Sequence, residues 1–242
     1  MKKLLIVSGC SFTTDNYCSA HHPYMDTEWK KWPEILGEKL DMTTINLGKS
    51  GSGNEYVFSV LCDEILAHEE KNIGMVIAAW SQYQRKDYAN RERWSSSHFE
   101  EKGDWKYFVD RSLRYYYLFQ VFCESKNIPY LQFQMIEPIR DFVWDLNKSS
   151  AYFRNGGREL KIDEVISYAS KNVYYKLIEE HTKNNFLGWP AISGFNLQHH
   201  ITKNKTIEEY QISKDDSHPS ALGHEKYAEF IYEHIQHRAK ST

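Results

Sequence analysis

A repeated alternation of short apolar runs and longer amphipathic segments constrains the fold of this chain more than any other feature. The run Leu4–Ser8 is short, apolar and β-branched, and similar runs lie at Thr43–Leu47, Met75–Trp80 and Pro129–Met135. Continuously apolar runs of this length are typical of strands that are buried on both faces of a sheet. We therefore predict that each run is a strand of a buried sheet.

The segments between these runs have the apolar spacing of amphipathic helices. They lie at Trp32–Leu40, Asn54–Ala67, Asp110–Ser125, Ile162–Thr182 and Ala221–His237. Strands that alternate with helices favour a parallel sheet with helices packed on both of its faces. In such sheets ligands bind at the carboxyl ends of the strands, so the loops that follow the strands are the best candidates for a functional site.

Length and composition favour one domain that spans residues 1–242. The sequence has no internal repeat and no proline-rich linker, and we expect loop insertions near residues 14–31, 83–107 and 140–210. The formal net charge of -3 gives no electrostatic reason to expect nucleic acid as a partner. Nothing in the sequence indicates an oligomeric state.

The amino terminus allows two interpretations. Val7-Ser8-Gly9-Cys10 has the form of a lipoprotein cleavage site, which would make the segment an export signal. A signal peptide needs an apolar core of ~7–15 residues, whereas the apolar run here extends only from Leu4 to Val7. The four cysteines show no CxxC spacing, as expected of free thiols in a reducing compartment. We therefore expect a retained strand, a cytoplasmic protein and no membrane span.

Three loops contain residues that can carry chemistry. They read SGCSFT at residues 8–13, NLGKSGSGNEY at residues 46–56 and DDSHPSALGH at residues 215–224. Each has an ordinary explanation, since serines cap helices, glycines form turns and histidines lie on surfaces. The first loop lacks the second glycine of the G-x-S-x-G motif. The second loop fits neither the dinucleotide-binding nor the P-loop pattern.

In their order along the chain, the three loops resemble sequence blocks of the SGNH/GDSL hydrolase family. GCSFT resembles the first block, NLGKSG the second and DDSHPSALGH the fifth, while WPEIL at residues 32–36 resembles the helix after the first block. The resemblance implies a three-layer α/β/α, flavodoxin-like sandwich with a mainly parallel central sheet of about five strands. It also implies a carboxylic ester hydrolase that uses a Ser-His-Asp triad and requires no metal or organic cofactor.

The resemblance also assigns roles to individual residues. It implies that Ser11 is the nucleophile, that His218 is its general base and that Asp215 holds His218 in the required tautomer. It further implies that the backbone N–H groups of Ser11 and Gly51 stabilise the oxyanion, together with the side chain of Gln82.

Two positions depart from the family pattern. Cys10 stands where the family usually has an aspartate before the nucleophile. Gln82 stands where the family usually has an asparagine after the third strand. Glutamine carries the same NH2 donor on a longer stem, and Ser81 is the alternative donor. Loss of one such donor typically lowers the rate by ~10²–10³-fold.

The family precedent favours a small acyl group on a polar carrier, such as an O-acetylated sugar. The candidate substrate-binding residues are Tyr24, Trp29, Trp80, Tyr83, Arg85 and Trp189. For each aromatic residue, packing in the core is the simpler interpretation. Arg85 follows the third strand and could contact an anionic substrate.

Other functions fit the same sequence. An acyltransferase would use the same triad with an acceptor other than water. A ligand-binding protein would have lost turnover through the changes at Cys10 and Gln82. A nucleotide-binding domain would hold phosphate in GCSFT or GKSGSG.

The histidine pairs His21-His22 and His199-His200 raise the question of a metal site. Neither pair has the spaced cysteine or carboxylate pattern of a zinc site, so we expect surface or supporting roles and no bound metal. His224 lies within the last predicted helix, where we expect a structural role.

Overall fold

The computed structural model describes residues 2–90, 93–98, 104–138, 143, 147, 158–181, 185–190, 196–202 and 207–241. A central sheet has the strand order β2-β1-β3-β6-β7, with every neighbouring pair parallel. A separate antiparallel hairpin is formed by β4 and β5. The strands are β1 (Leu4–Ser8), β2 (Thr43–Asn46), β3 (Ile73–Trp80), β4 (Arg85–Asn90), β5 (Arg93–His98), β6 (Tyr130–Gln134) and β7 (Phe186–Leu187).

Helices cover both faces of the central sheet. The described helices are α1 (Trp32–Lys39), α2 (Asn54–Ala67), α3 (Trp105–Ser125), α4 (Ile162–Lys171), α5 (Val173–His181), α6 (Leu197–Thr202), α7 (Ile207–Tyr210) and α8 (Ala221–Ser241), with a 3-10 turn at Glu70–Asn72. Helices α2, α3, α4 and α5 contribute to one core cluster, and α1, α6 and α8 contribute to the other. The arrangement is the predicted three-layer α/β/α sandwich, and the fold prediction is confirmed.

The central strand β1 shows why a strand of this sheet has an apolar run. Ile6 points into the cluster under α2 and α3, whereas Leu5 and Val7 point into the cluster under α1 and α8. All three side chains are completely buried. Because successive side chains of a strand face opposite sides of the sheet, a strand covered on both faces buries the side chains of both sets, which favours apolar residues along its whole length.

Several boundaries differ from the sequence prediction. The segment predicted as one helix over Ile162–Thr182 is two helices, because Asn172 has an extended backbone (φ -67, ψ 143). The Asn172 side chain donates to Asp110 Oδ1 at 2.6 Å and accepts from the backbone N–H of Tyr174 at 2.8 Å. These bonds satisfy polar groups at the break between the two helices. The hydrophobic spacing alone does not reveal this break. Thr182 itself lies outside the described residues.

The hairpin β4–β5 was not predicted and occupies the expected insertion at residues 83–107. Part of the insertion predicted at residues 140–210 lies outside the described residues. Among the helices that the structure describes, none combines the length and the hydropathy needed to cross a bilayer.

Candidate active site

The candidate site lies at the carboxyl ends of β1, β2 and β3. The chain turns sharply after β1, where the N–H groups of Thr13 and Thr14 both donate to the carbonyl of Cys10, at 2.9 and 3.2 Å. Gly9 is required for this turn, since a Cβ there would lie 2.3 Å from Thr13 Oγ1. The turn presents Ser11 at the edge of a cavity, in the position expected for a ligand site in a parallel sheet.

A chain of hydrogen bonds connects a serine, a histidine and a carboxylate. Ser11 Oγ lies 2.7 Å from His218 Nε2. On the other side of the ring, His218 Nδ1 lies 2.6 Å from Asp216 Oδ1. With the proton on Nδ1, the ring donates to Asp216 and its Nε2 can accept the Ser11 proton, which is the geometry of a nucleophile paired with a general base.

The prediction that Asp215 orients His218 is wrong, because Asp216 occupies that position. Asp216 is buried, whereas Asp215 is exposed. The backbone N–H groups of both aspartates donate to Ser213 Oγ, and Ser213 N–H donates to the carbonyl of Asp216 at 3.1 Å. This tight turn directs Asp215 to solvent and Asp216 towards the imidazole.

Two residues that the sequence analysis did not identify hold Asp216. Ser19 Oγ donates to Asp216 Oδ2 at 2.5 Å, and Tyr17 Oη donates to the same oxygen at 2.9 Å. Tyr17 Oη also lies 2.7 Å from His218 Nδ1. Both residues belong to the insertion predicted at residues 14–31, and no motif marks them. Only the folded chain brings this loop against a turn about 200 positions later.

The surroundings of Asp216 keep it ionised. Burial raises the pKa of this carboxyl, but hydrogen bonds from Ser19, from the backbone and ring of His218 and from Tyr17 outweigh burial and lower the pKa to about 2. A carboxylate that accepts several hydrogen bonds in its charged form is stabilised in that form. Asp216 can therefore act as the fixed negative partner of the imidazole.

His218 lies between two aromatic rings. Its ring stacks on Tyr17 at a centroid distance of 4.1 Å and lies 4.6 Å from the ring of Phe12. Burial lowers the pKa of His218, the charge and hydrogen bond of Asp216 raise it, and the positive charge of Arg85 lowers it again. The net effect is a pKa below the ordinary value, so the imidazole is neutral and able to accept a proton at neutral pH.

The predicted oxyanion residues line the same cavity as the serine. The cavity has a volume of about 380 Å³ and is lined by Ser11, Phe12, Gly51, Gln82, Arg85, Ile136, Glu137, Gln198, His199, Ser217 and His218. Gly51 has a φ of 76°, a conformation that suits glycine and that fixes the direction of its N–H group. Gln82 lines the cavity, whereas Ser81 is buried and is not among the lining residues.

The substrate-contact predictions for Trp80 and Tyr83 are wrong. Both side chains are completely buried and pack against Tyr116. Trp189 packs against Tyr175 and Phe186.

The other aromatic candidates lie outside the cavity lining. Tyr24 is fully exposed, and Trp29 borders a different groove between α1 and α8. Of the six candidate substrate-binding residues, Arg85 is the one that lines the cavity with Ser11.

Cys10 is packed in the core, and members of both histidine pairs contact side chains of the protein. The Cys10 side chain is completely buried in the core cluster under α1 and α8. His22 Nε2 lies 2.8 Å from Ser213 Oγ, and His199 Nδ1 lies 3.9 Å from Glu137 Oε2. Within the described part of the chain, no cluster of three or more histidine, cysteine, aspartate or glutamate side chains could hold a metal ion.

His224 has the structural role that its position predicts. It is buried, and its Nδ1 accepts from the backbone N–H of Trp32 at 3.2 Å. Burial, together with the charges of Lys31 and His218, lowers the pKa of His224 to about 3. The ring is therefore neutral and joins the start of α1 to α8.

The fold is similar to those of solved proteins described as GDSL-family proteins and esterases, so the fold that the sequence resemblance implies is confirmed. Similar solved structures include a protein of the G-D-S-L family from Desulfitobacterium hafniense DCB-2, with a TM-score of 0.54 and 13% identity over 97% of this chain and 99% of that chain. The esterase EstA from Pseudoalteromonas sp. has a TM-score of 0.53 and 11% identity over 98% and 99% of the two chains. A GDSL-like lipase from Bacteroides thetaiotaomicron VPI-5482 has a TM-score of 0.51 and 10% identity over 99% and 89%.

The chain matches no protein-family model and no curated protein. At the identities of these structures, the likeness establishes the fold alone. The chemistry has to be argued from the residues of the site.

Proposed function

We propose that this chain is a carboxylic ester hydrolase that removes a short acyl group, such as acetyl, from a carbohydrate or another small polar carrier. The observation that carries this proposal is the continuous hydrogen-bonded chain from Ser11 Oγ through His218 to Asp216 Oδ1 at the edge of a cavity. Each member has the protonation state that the chemistry needs, since Asp216 is ionised and His218 is neutral near pH 7.

The reaction begins when Ser11 Oγ attacks the ester carbonyl carbon and His218 Nε2 takes the hydroxyl proton. Asp216 stabilises the imidazolium that forms and keeps its proton on Nδ1. The tetrahedral intermediate collapses, the carbon–oxygen bond to the carrier breaks, and His218 returns its proton to the departing alkoxide. Water then attacks the acyl-Ser11 ester with His218 again as the base, which releases the carboxylic acid and restores the serine.

The negative charge of each tetrahedral intermediate requires donors that are fixed in place. The backbone N–H groups of Ser11 and Gly51 and the side-chain NH2 of Gln82 are the candidate donors. Arg85 Nε donates to Gln82 Oε1 at 3.1 Å, so the oxygen of the amide is engaged and the opposite terminal atom is the NH2 donor. Donors held by the fold need no reorganisation when the charge appears, which is the source of their catalytic effect.

The size and polarity of the cavity favour a small acyl group on a polar carrier. Its volume of about 380 Å³ is at the small end for a ligand site. Phe12 and Ile136 supply its apolar contacts, and the other side chains that line it carry hydroxyl, amide, imidazole or charged groups. Such groups match the hydroxyls of a sugar, whereas a long acyl chain would need a continuous apolar channel.

Steady-state hydrolysis of a series of 4-nitrophenyl esters from acetyl to decanoyl tests the proposal. We expect kcat/KM to be highest for the shortest acyl groups and to fall with chain length. Ser11→Ala and His218→Ala should each lower kcat by at least about 10³-fold. Ser170→Ala, which alters an exposed hydroxyl on α4, is the matched control and should leave kcat unchanged. Hydrolysis by Ser11→Ala at the rate of the unaltered protein would refute the proposal.

A further inference from the structure

Arg85 is a buried cation in the wall of the catalytic cavity. It is the first residue of β4, and only 8% of its surface is exposed. The Arg111 guanidinium holds the backbone here, since its Nη2 donates to the carbonyls of Tyr83 and Arg85. Arg85 is therefore held in place by the core, and its small accessible surface lies at the cavity that contains Ser11.

The side chain of Arg85 has more donors than the surrounding protein uses. Its Nε donates to Gln82 Oε1 at 3.1 Å, and its Nη1 donates to the carbonyl of Ser52 at 3.0 Å. A guanidinium has five N–H donors in a fixed planar arrangement. Among the described residues, no other acceptor engages the Arg85 side chain, so one N–H of Nη1 and both of Nη2 are left for a ligand.

The charge of Arg85 is also left without a direct partner. Within the described part of the chain, no carboxylate lies within 4 Å of its nitrogens. Glu137 lines the same cavity, but its carboxylate accepts from Asn196 at 3.3 Å and lies 3.9 Å from His199. A buried charge is costly unless a counter-charge or hydrogen bonds compensate it.

We infer that the catalytic cavity takes an ester whose carrier bears a carboxylate, such as an acetylated uronic acid, and that this carboxylate pairs with the free edge of the Arg85 guanidinium. The inference rests on the proposed function and names its substrate class. An arginine presents two parallel N–H groups to the two oxygens of a carboxylate, which gives both affinity and orientation. Because Glu137 already contributes one negative charge to the cavity, a singly charged carboxylate fits better than a doubly charged phosphate monoester.

Arg85 has a second possible role, which the test must separate from the first. Its bonds hold the side chain of Gln82, one candidate oxyanion donor, and the backbone of Ser52, the residue after Gly51, another candidate donor. A substitution that only disturbed these groups would slow every ester by the same factor. A substitution that removed a carboxylate partner would slow the anionic ester more. The ratio of kcat/KM between the two esters is therefore the informative quantity.

The test substrates are methyl glycosides of O-acetylglucuronic acid and O-acetylglucose. They differ only at C6, where the first has a carboxylate and the second a CH2OH group. We expect kcat/KM to favour the glucuronic ester by roughly 10- to 100-fold, the usual range for a hydrogen bond to a charged group. Arg85→Met should reduce this ratio to near unity, and Arg85→Lys should keep part of it. Lys86→Met removes the same charge from the next residue of β4, outside the cavity lining, and should keep the full ratio.

Equilibrium binding separates failure of this inference from failure of the proposed function. In the Ser11→Ala background, calorimetry with unacetylated methyl glucuronide and methyl glucoside measures recognition without turnover. We expect the glucuronide to bind at least about 10-fold more tightly, and Arg85→Met to abolish the difference. If the protein bound the glucuronide more tightly but had no esterase activity, the carboxylate site at Arg85 would stand and the proposed hydrolase function would be wrong. Equal binding of the two glycosides, or a ratio that survives Arg85→Met, would overturn the inference.

Discussion

His218 Nδ1 lies 2.6 Å from Oδ1 of Asp216, the second of two adjacent aspartates, while the first, Asp215, faces solvent. The backbone N–H of His218 donates to the same oxygen of Asp216 at 3.1 Å. The carboxylate is therefore fixed by the main chain as well as by the ring. This pairing of residues two apart defines the orientation of the His218 ring.

The two aspartates give a matched pair for mutagenesis. Asp216→Asn should lower kcat/KM by about 10³–10⁴-fold, because an amide cannot stabilise the imidazolium and favours the wrong tautomer. Asp215→Asn should change kcat/KM by less than about threefold, since it alters an exposed side chain. The measurement is hydrolysis of 4-nitrophenyl acetate at pH 8. A larger loss from Asp215→Asn would contradict the pairing in the structure.

Tyr17 is expected to act as a positioning residue through its hydroxyl. The hydroxyl donates to Asp216 Oδ2 and lies 2.7 Å from His218 Nδ1, so it helps to fix both groups. Tyr17→Phe keeps the stacked ring and removes only this hydroxyl, and kcat should fall by roughly 10-fold with little change in KM. The pKa of Asp216 should rise, because it loses a hydrogen-bond donor to its charged form.

The control for Tyr17→Phe is Tyr24→Phe, which removes a fully exposed hydroxyl from the same insertion. NMR of the Asp216 carboxyl carbon across a pH titration reads the electrostatic effect independently of activity. If Tyr17→Phe altered neither kcat nor this titration, the hydroxyl would have no positioning role.

Substitutions at Gln82 and Ser81 show which of these two residues is the side-chain oxyanion donor. Gln82→Ala should lower kcat by ~10²–10³-fold with little effect on KM, because the donor acts on charge that develops only in the transition state. Ser81→Ala should have a much smaller effect on kcat, because Ser81 is buried outside the cavity lining. The opposite result would assign the donor role to Ser81.

The pH dependence of kcat/KM follows from the state of His218. The general base must be neutral, so activity is lost as pH falls through the pKa of His218 in the free enzyme. Burial and the Arg85 charge outweigh Asp216 and depress this pKa, so the midpoint of the acid limb should lie below 6.5. Arg85→Met removes a nearby positive charge and should move this midpoint to higher pH. A wild-type midpoint above 6.5, or a downward shift in the variant, would contradict these assignments.

The strands of the central sheet were largely predictable because burial on both faces leaves a strong local signature. The run Leu4–Ser8 was predicted with the bounds of β1, and Asn54–Ala67 with the bounds of α2. The hairpin β4–β5 was missed because its sequence is polar, and such strands depend on pairing with each other rather than on burial. The two-residue strand β7 is too short to show any period.

Residues of the candidate site were predictable only where they belong to a recognisable sequence motif. Ser11, Gly51 and His218 follow from blocks in the sequence, and the structure brings all three to one cavity. The choice between Asp215 and Asp216 depends on a turn around Ser213 that spacing does not specify.

The contacts of Tyr17 and Ser19 with Asp216 join distant segments of the chain. No local pattern reveals such contacts, because the hydrogen-bonding partner is chosen by the tertiary fold. The aromatic residues proposed as substrate contacts were predicted poorly for a related reason: Trp80 and Tyr83 contribute their large apolar surface to the core.

Covalent labelling by a fluorophosphonate tests the central claim, that His218 and Asp216 make Ser11 a nucleophile. The reagent forms a bond between phosphorus and Oγ of an activated serine and releases fluoride. We predict one labelled site, identified by peptide mass spectrometry as Ser11, with labelling abolished in Ser11→Ala and strongly slowed in His218→Ala and Asp216→Asn. A folded protein in which Ser11 is not labelled, or is labelled equally fast in His218→Ala, would contradict the account.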